Sequence, residues 1–134
     1  MKTMKNETSG DSTLTYTIIG AVMEVHRTLG PGFPESVYEQ ALCVELRSRG
    51  IMYARQVDVQ VRYKGEHVGL GRIDLLVNDS VIVEMKAVDA ISSVHVGQVL
   101  SYLRMTGHQL GLIFNFNVRI LRDGGIERIT LAPL

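Results

Sequence analysis

The sequence contains no tryptophan and a single cysteine in 134 residues, and each shortage closes off a class of protein. One thiol cannot form an internal disulfide or a Cys-rich zinc site, so Cys43, set within a helical pattern, reads as a small buried hydrophobe. A reducing, cytoplasmic setting is the expectation that follows. No apolar run reaches the roughly 18 residues of a membrane span. The opening stretch MKTMKNETSGDST is polar and has no apolar segment that would make it a signal peptide. An excess of one charge is missing as well, since Lys plus Arg number 14 and Asp plus Glu number 14. Net charge therefore does not advertise a polyanionic partner, although a neutral chain can still carry a local basic cleft.

What is present is apolar surface enough for one core. With 46% hydrophobic residues, a chain of 134 suits one domain and is short for two. Residues 1–13, rich in Ser, Thr, Lys, Asn and Gly, read as a flexible lead-in, and the domain is expected to occupy 14–134. Leu14, Ile18, Ala21, Val22, Val25 and Leu29 recur at three- and four-residue spacing and predict a helix that ends before GPGFP. Pro34 suits the first position of a second helix, whose stripe of Val37, Tyr38, Ala41, Leu42 and Leu46 runs on until Gly50. The period then shortens to two. Val57, Val59, Val61 and Tyr63 alternate with polar residues, KGE turns the chain, and HVGLGRIDLLV and VIVEMKA continue as strands on either side of NDS. Val94, Val99, Leu100, Leu103 and Met105 predict a third helix closed by Gly107, followed by strands at QLGLIFNF and IERITLA. The order ααβββαββ predicts an α/β (α+β) domain, a mixed β-sheet flanked by helices.

Within RIDLLVNDSVIVEMKA, charge enters an otherwise apolar hairpin. If NDS is a three-residue loop, Val77 faces Val81, and counting back along both strands sets Asp74 directly opposite Glu84. Arg72, Asp74, Glu84 and Lys86 then share one face, with Leu76 and Ile82 toward the turn. Ile73, Leu75, Val77, Val81, Val83 and Met85 cover the other face. Like charges placed opposite each other destabilise a sheet, and two carboxylates about 5 Å apart invite a shared proton or a bound cation. Two readings stay open. Arg72 and Lys86 neutralise the pair in a solvated ion network, or Asp74 and Glu84 hold a hard cation such as Mg2+ while Lys86 orients or helps deprotonate a water.

An Asp on one strand followed by Glu-x-Lys on the return strand resembles the PD-(D/E)xK phosphodiesterase signature, here Asp74 and Glu84-Met85-Lys86. GFPESVY, Gly32 to Tyr38, matches the pattern of the GxxExxY protein family, whose members resemble the PD-(D/E)xK nuclease superfamily. The likeness continues through VHRTLGPGFPESVYEQAL, RQVDVQV, GRIDLLVNDSVIVEMKAV and VHVGQVLSYLRMTG. It implies a restriction-endonuclease-like fold. It also implies a site in which Asp74, Glu84 and the Met85 backbone carbonyl hold Mg2+ or Mn2+, Lys86 positions the attacking water, and Glu35 brings a further acid near the metal. Glu35 has a plainer reading too, because a carboxylate in a helix's first turn favours the helix dipole.

Tyr38, one turn on, is expected as a core aromatic whose hydroxyl supports Glu35 or a neighbour. Gln98 and Tyr102 share a helical face and resemble the Q-x-x-x-Y arrangement on the helix after the core in some helicase-linked nucleases. That likeness implies a contact from Gln98 to Lys86, water or phosphate, and leaves Tyr102 either packed or supporting. His26 and His95 match positions where the family often has His, and are expected as hydrogen-bonding or phosphate-contacting groups rather than metal ligands. His67 and His108 carry no signal.

The function this implies is metal-dependent hydrolysis of phosphodiester bonds in DNA or RNA. The alternative is a non-catalytic nucleic-acid-binding or regulatory module that keeps the nuclease-like fold. In its favour, the chain offers no added specificity domain, basic tail or tryptophan platform for gripping a long duplex. A third reading is a small-molecule or protein-interaction domain whose charged face is structural. A homodimer or protein partner that completes the grip is compatible with the nucleic-acid readings, and no membrane association is expected.

Overall fold

A computed structural model describes residues 2–131, with side chains described from residue 13 onward. Helices α1 (Lys2–Leu29) and α2 (Glu35–Ser48) precede strands β1 (Tyr53–Tyr63), β2 (Glu66–Val77) and β3 (Val81–Lys86). Helix α3 (Ser93–Thr106) and strands β4 (Leu110–Asn115) and β5 (Ile126–Thr130) complete the order. This is the ααβββαββ order that the periodicities predict. Helix α1 begins before Leu14 and takes in residues 2–13, which the composition marked as a lead-in. Once an amphipathic segment has nucleated a helix, each added residue gains a backbone hydrogen bond, so the helix can run back over a polar stretch. Residue 1 of that lead-in and residues 132–134 of the expected domain lie outside the described residues.

The five strands lie in sequence order. β3 and β4 are parallel and every other neighbouring pair is antiparallel. A parallel pair needs a long crossover, and α3 supplies it. On one face of the sheet, Ile18, Val22 and Val25 of α1 and Tyr38, Leu42 and Leu46 of α2 pack on Leu75, Val77, Val83, Leu112 and Phe114. On the other face, Val99, Tyr102 and Leu103 of α3 pack on Ile73, Leu76, Ile82 and Ile113. Covered on both sides, β4 is buried at every position, which is why LGLIFN reads as an apolar run instead of alternating. Among the described residues, no helix is long and apolar enough to cross a membrane.

Helix α3 begins at the N-cap Ser92 and ends at Gly107, whose φ of 82° is the left-handed cap that glycine favours. Of its expected stripe, Val99 and Leu103 are buried, whereas Val94 and Met105, in the first and last turns, are 77% and 48% exposed. The helix therefore meets the sheet through its middle turns. Two glycines let it come close: a methyl group added at Gly71 would fall 2.6 Å from the Tyr102 ring, and one at Gly111 would fall 2.4 Å from Val99.

Strands β1 and β2 pair along their whole lengths, but β2 pairs with β3 only over Leu75–Val77. Beyond Leu75 the β1–β2 hairpin runs on as a two-stranded ribbon. The fork where β2 leaves β3 is the feature on which the site is built.

Candidate active site

The rungs Val77↔Val81, Leu76↔Ile82 and Leu75↔Val83 hold the register expected of a three-residue NDS loop. Asn78 and Asp79 make that loop at φ 53° each, a left-handed conformation these two residue types tolerate. The backbone ladder then stops, and carboxylates take its place. The Asp74 N–H donates to Glu84 Oε2 at 2.9 Å, and the Met85 N–H donates to Asp74 Oδ2 at 2.9 Å. Asp74 and Glu84 are brought together, as the register requires, each reaching across the fork to the backbone of the opposite strand.

The simple division into a charged and an apolar face fails at Ile73. Instead of joining Leu75, Val77, Val81, Val83 and Met85, Ile73 packs with Val59, Leu76 and Ile82 beneath α3. Strict alternation would set residues 73 and 75 on one side, so the strand turns over at Asp74. Its partner strand is irregular at the same level. Rungs Arg55↔Leu75 and Val57↔Ile73 flank an unpaired position where Gln56 adopts φ 51°. Arg72 lies past this switch and pairs with Asp58, its cross-strand neighbour, at 3.5 Å, with both side chains more than half exposed. Arg72 thus pairs away from Asp74 and Glu84, and the four-residue ion network, one of the two open readings, does not form among the described residues. Lys86, half-buried, makes no ion pair among the described residues.

Burial sets the acidity of the pair. Glu84 is 3% exposed, and loss of solvent, followed by the charge of Asp74, pushes its carboxyl up to about 8. The Asp74 N–H and the charge of Lys86 oppose that rise without cancelling it. Asp74 is also raised, first by burial; the Met85 N–H and Lys86 oppose the shift, while the charges of Glu39 and Glu35 add to it. One oxygen of each acid, Asp74 Oδ1 and Glu84 Oε1, receives no hydrogen bond among the described residues. A third oxygen faces the same edge of β3. Lys86 presents its carbonyl to the Phe116 N–H on the β4 side, and Met85 directs its N–H toward Asp74 on the β2 side. Because N–H and carbonyl of one strand residue point to the same edge in a parallel ladder, the Met85 carbonyl also faces β2, past the last rung of that pair.

Two uncommitted carboxylate oxygens and a carbonyl suit a hard divalent cation that keeps part of its water, as Mg2+ does. Among the described residues, no group of three or more His, Cys, Asp or Glu side chains converges to hold a metal, so an ion here would rely on that carbonyl and on water.

The remaining expected residues divide between the site and the scaffold. Glu35 opens α2 and is exposed; its Oε2 accepts a hydrogen bond from the Ala87 N–H at 3.0 Å, which ties the helix to the chain just past Lys86. Tyr38 is fully buried and stacks on Phe116 at 4.3 Å. Its hydroxyl donates to the Gly30 carbonyl at 2.5 Å and accepts from the Phe33 N–H at 3.1 Å. Tyr38 thereby fixes the GPGFP turn that delivers Glu35, and among the described residues its hydroxyl makes no hydrogen bond to Glu35. His26 Nε2 bonds the Val118 carbonyl at 2.7 Å, so that nitrogen carries the proton and anchors the loop after β4. His95 Nδ1 accepts from the Ser92 N–H at 3.0 Å and completes the cap of α3. Each histidine thus has one ring nitrogen engaged in a hydrogen bond, as expected of hydrogen-bonding groups. Tyr102 packs over Gly71, and its hydroxyl accepts from the Arg72 N–H at 3.3 Å, which fastens α3 to β2 beside Asp74. Gln98 is exposed on α3 and makes no hydrogen bond among the described residues.

Two polar residues near the site escaped the sequence reading. Glu39, 6% exposed, accepts from Arg55 Nε and Nη2 at 3.0 and 2.8 Å and from Gln56 Nε2 at 2.8 and 3.1 Å. Its signal was available: Glu39 falls four residues after Glu35, on the same helical face as Leu42, Cys43 and Leu46. Asn115 is fully buried at the end of β4, where it accepts from the Val88 N–H at 3.1 Å and donates to the Val88 carbonyl at 2.9 Å. It locks the segment after Lys86 to the neighbouring strand. A lone Asn in the apolar run LGLIFNF was the cue for it.

Against known protein families, the model describing the PD-(D/E)XK nuclease superfamily matches residues 12–129. Searches of curated proteins and of solved structures return no match.

Proposed function

Because this chain belongs to the PD-(D/E)XK nuclease superfamily, with its mixed sheet and flanking helices in the restriction-endonuclease-like order, we propose that it is a metal-dependent nuclease. Its substrate is a phosphodiester bond of DNA or RNA, hydrolysed at the fork between β2 and β3. The observation that carries this reading is the pair of acids, Glu84 buried and Asp74 half-buried: each fixes one oxygen on the opposite strand's backbone and leaves the other without a hydrogen bond among the described residues. Asp74, Glu84 and the Met85 carbonyl would hold Mg2+ or Mn2+. Such an ion, when bound, polarises a phosphate oxygen and acidifies a water.

The chain's own groups do the rest. The Asp74 and Met85 N–H donors fix the two acids in place before any ligand arrives, so little rearrangement opposes the reaction. Lys86, beside them and without an ion-pair partner among the described residues, orients the attacking water and offsets charge that builds on the phosphate. Glu35 orients hydrated metal with the oxygen that Ala87 leaves free, and Gln98 supplies an uncommitted amide to water or phosphate. Tyr38, Tyr102 and Asn115 hold the elements that carry these groups. A second copy or another protein would supply the remaining grip on a long nucleic acid, since the chain is electrically neutral overall and has no tryptophan platform. A cytoplasmic location is part of this reading, supported by the single thiol.

The test uses purified protein with Mg2+ or Mn2+ on single- and double-stranded DNA and RNA. Cleavage should be abolished by EDTA and fall at least about a hundredfold in Asp74→Asn, Glu84→Gln and Lys86→Ala, as expected when charge-stabilising groups are removed. Cleavage that survives alanine at both Glu84 and Lys86 would overturn the proposal. One observation favours a second reading, a binding module without turnover: no third acid side chain converges on Asp74 and Glu84 among the described residues. Binding of nucleic acid with no cleavage in any divalent metal would establish it.

A further inference from the structure

Glu39 is buried, charged and absent from the chemistry above, while Gln56 lies in a strand with its backbone in the left-handed region at φ 51°. Nothing in the local sequence asks for that conformation. QVDVQV is a run of strand formers, and glutamine, with a Cβ, is disfavoured there. A residue is held so only where its surroundings over-determine it. The surroundings here are the Glu39 carboxylate, which takes the Gln56 amide at 2.8 Å on one oxygen and 3.1 Å on the other. Buried carboxylates need donors, and bonds to an ionised acceptor are stronger than neutral ones, so Glu39 has reason to retain Gln56.

The consequence appears on the neighbouring strand. The rung missing between Arg55↔Leu75 and Val57↔Ile73 is the one that would join Gln56 to Asp74. At that level β2 turns over, Ile73 passes to the α3 side, and Asp74 engages Glu84 and Met85. An extended Gln56 would restore the rung and draw Asp74 into a regular ladder, with residues 73 and 75 on one face.

We propose that Glu39 and Gln56 form a latch, in which the buried carboxylate of α2 holds the kink in β1 and so positions Asp74 in the fork. Glu39 is thus a positioning residue for the candidate metal site. Its functional meaning rests on the nuclease reading of Asp74, whereas the latch itself is testable without metal or substrate.

The measurement is amide hydrogen exchange by NMR on the full metal-free chain. Glu39→Ala should speed exchange of the Asp74 and Met85 amides by about tenfold or more, leaving the amides of Ile82 and Leu112 unchanged. Adding Gln56→Gly should restore the slow exchange, because glycine takes the left-handed conformation without help. A packing role for Glu39 would give no such rescue. Unchanged exchange in Glu39→Ala, or a loss that glycine at 56 does not reverse, overturns the latch. If Glu39→Ala does not fold, the exposed position alone decides: Gln56→Ala should lose protection at Met85 and Gln56→Gly should keep it, and equal behaviour overturns the proposal. Mn2+ affinity read by EPR should follow the same pattern, falling about tenfold in Glu39→Ala and recovering with Gln56→Gly. If exchange behaves as expected but the wild-type protein binds no Mn2+, the latch stands and the nuclease reading falls.

Discussion

Among the described residues Glu84 has one hydrogen-bond donor, the Asp74 N–H, set against burial and a neighbouring negative charge, and its carboxyl rises from 4.5 to about 8. The sign of the consequence follows. In the metal-free protein the folded state keeps a proton that the unfolded chain sheds, so this contribution is complete below about 4.5 and is lost as pH climbs to about 8. Burial raises Asp74 in the same direction. Melting of metal-free protein from pH 5 to pH 8 should therefore show a falling Tm. Glu84→Gln should flatten that fall and raise the Tm at pH 8 by roughly 4 °C or more, the scale of about 1 kcal/mol in a domain of this size. A pH dependence identical in the two proteins would remove Glu84 as its source. Asp74, Glu84, Lys86 and Glu35 were legible as candidates because residue type and spacing are written in the chain. Glu39 carried only a partial cue, its place on the buried face of α2, because a glutamate on a helix looks like any solvated charge until Arg55 and Gln56 close over it.

At the scale of elements, most of the order was legible because hydrophobic periodicity is local. A three-four spacing buries one side of a helix whatever lies opposite, and the stripes of α1 and α2 join the core as their spacing predicts, except for Val37 in the first turn of α2, which is half-buried and outside that cluster. Helix α3 shows where that reasoning ends: Val94 and Met105 fit its spacing and stay exposed, because only its middle turns reach the sheet. That approach depends on Gly111, which has room for no Cβ beneath Val99. Gly111→Ala should lower stability by about 1–3 kcal/mol, the usual range for overpacking, as read from the urea midpoint. Restoration of much of the loss in the Gly111→Ala, Val99→Ala pair would identify the clash as its cause. The strand pattern failed at Ile73 for a related reason: alternation assumes a strand that keeps its faces, and β2 turns over beside the kink in β1.

For the molecule as a whole, a buried and a half-buried acid side by side in a fork are expected to make native stability responsive to cations. Mg2+ or Mn2+ that binds the folded chain alone should raise the Tm, by about 2.7 kcal/mol of added stability at a hundred times its dissociation constant. The gain should grow as pH rises toward 8 and Glu84 ionises, and should vanish in Asp74→Asn with Glu84→Gln. A melting curve indifferent to both ions at pH 8 would leave the charged pair a structural feature. The sequence by itself determined the element order, the loop register that sets Asp74 against Glu84, and the residues of the superfamily signature, since each depends on near neighbours or on residue type. Only the tertiary structure decided that the strands part at that pair, that Arg72 belongs to Asp58, that His26 reaches the Val118 carbonyl, and that Glu39 reaches Gln56. Those outcomes depend on which surfaces the packed helices bring together, and bonds across long chain separations leave no periodic trace in the chain that makes them.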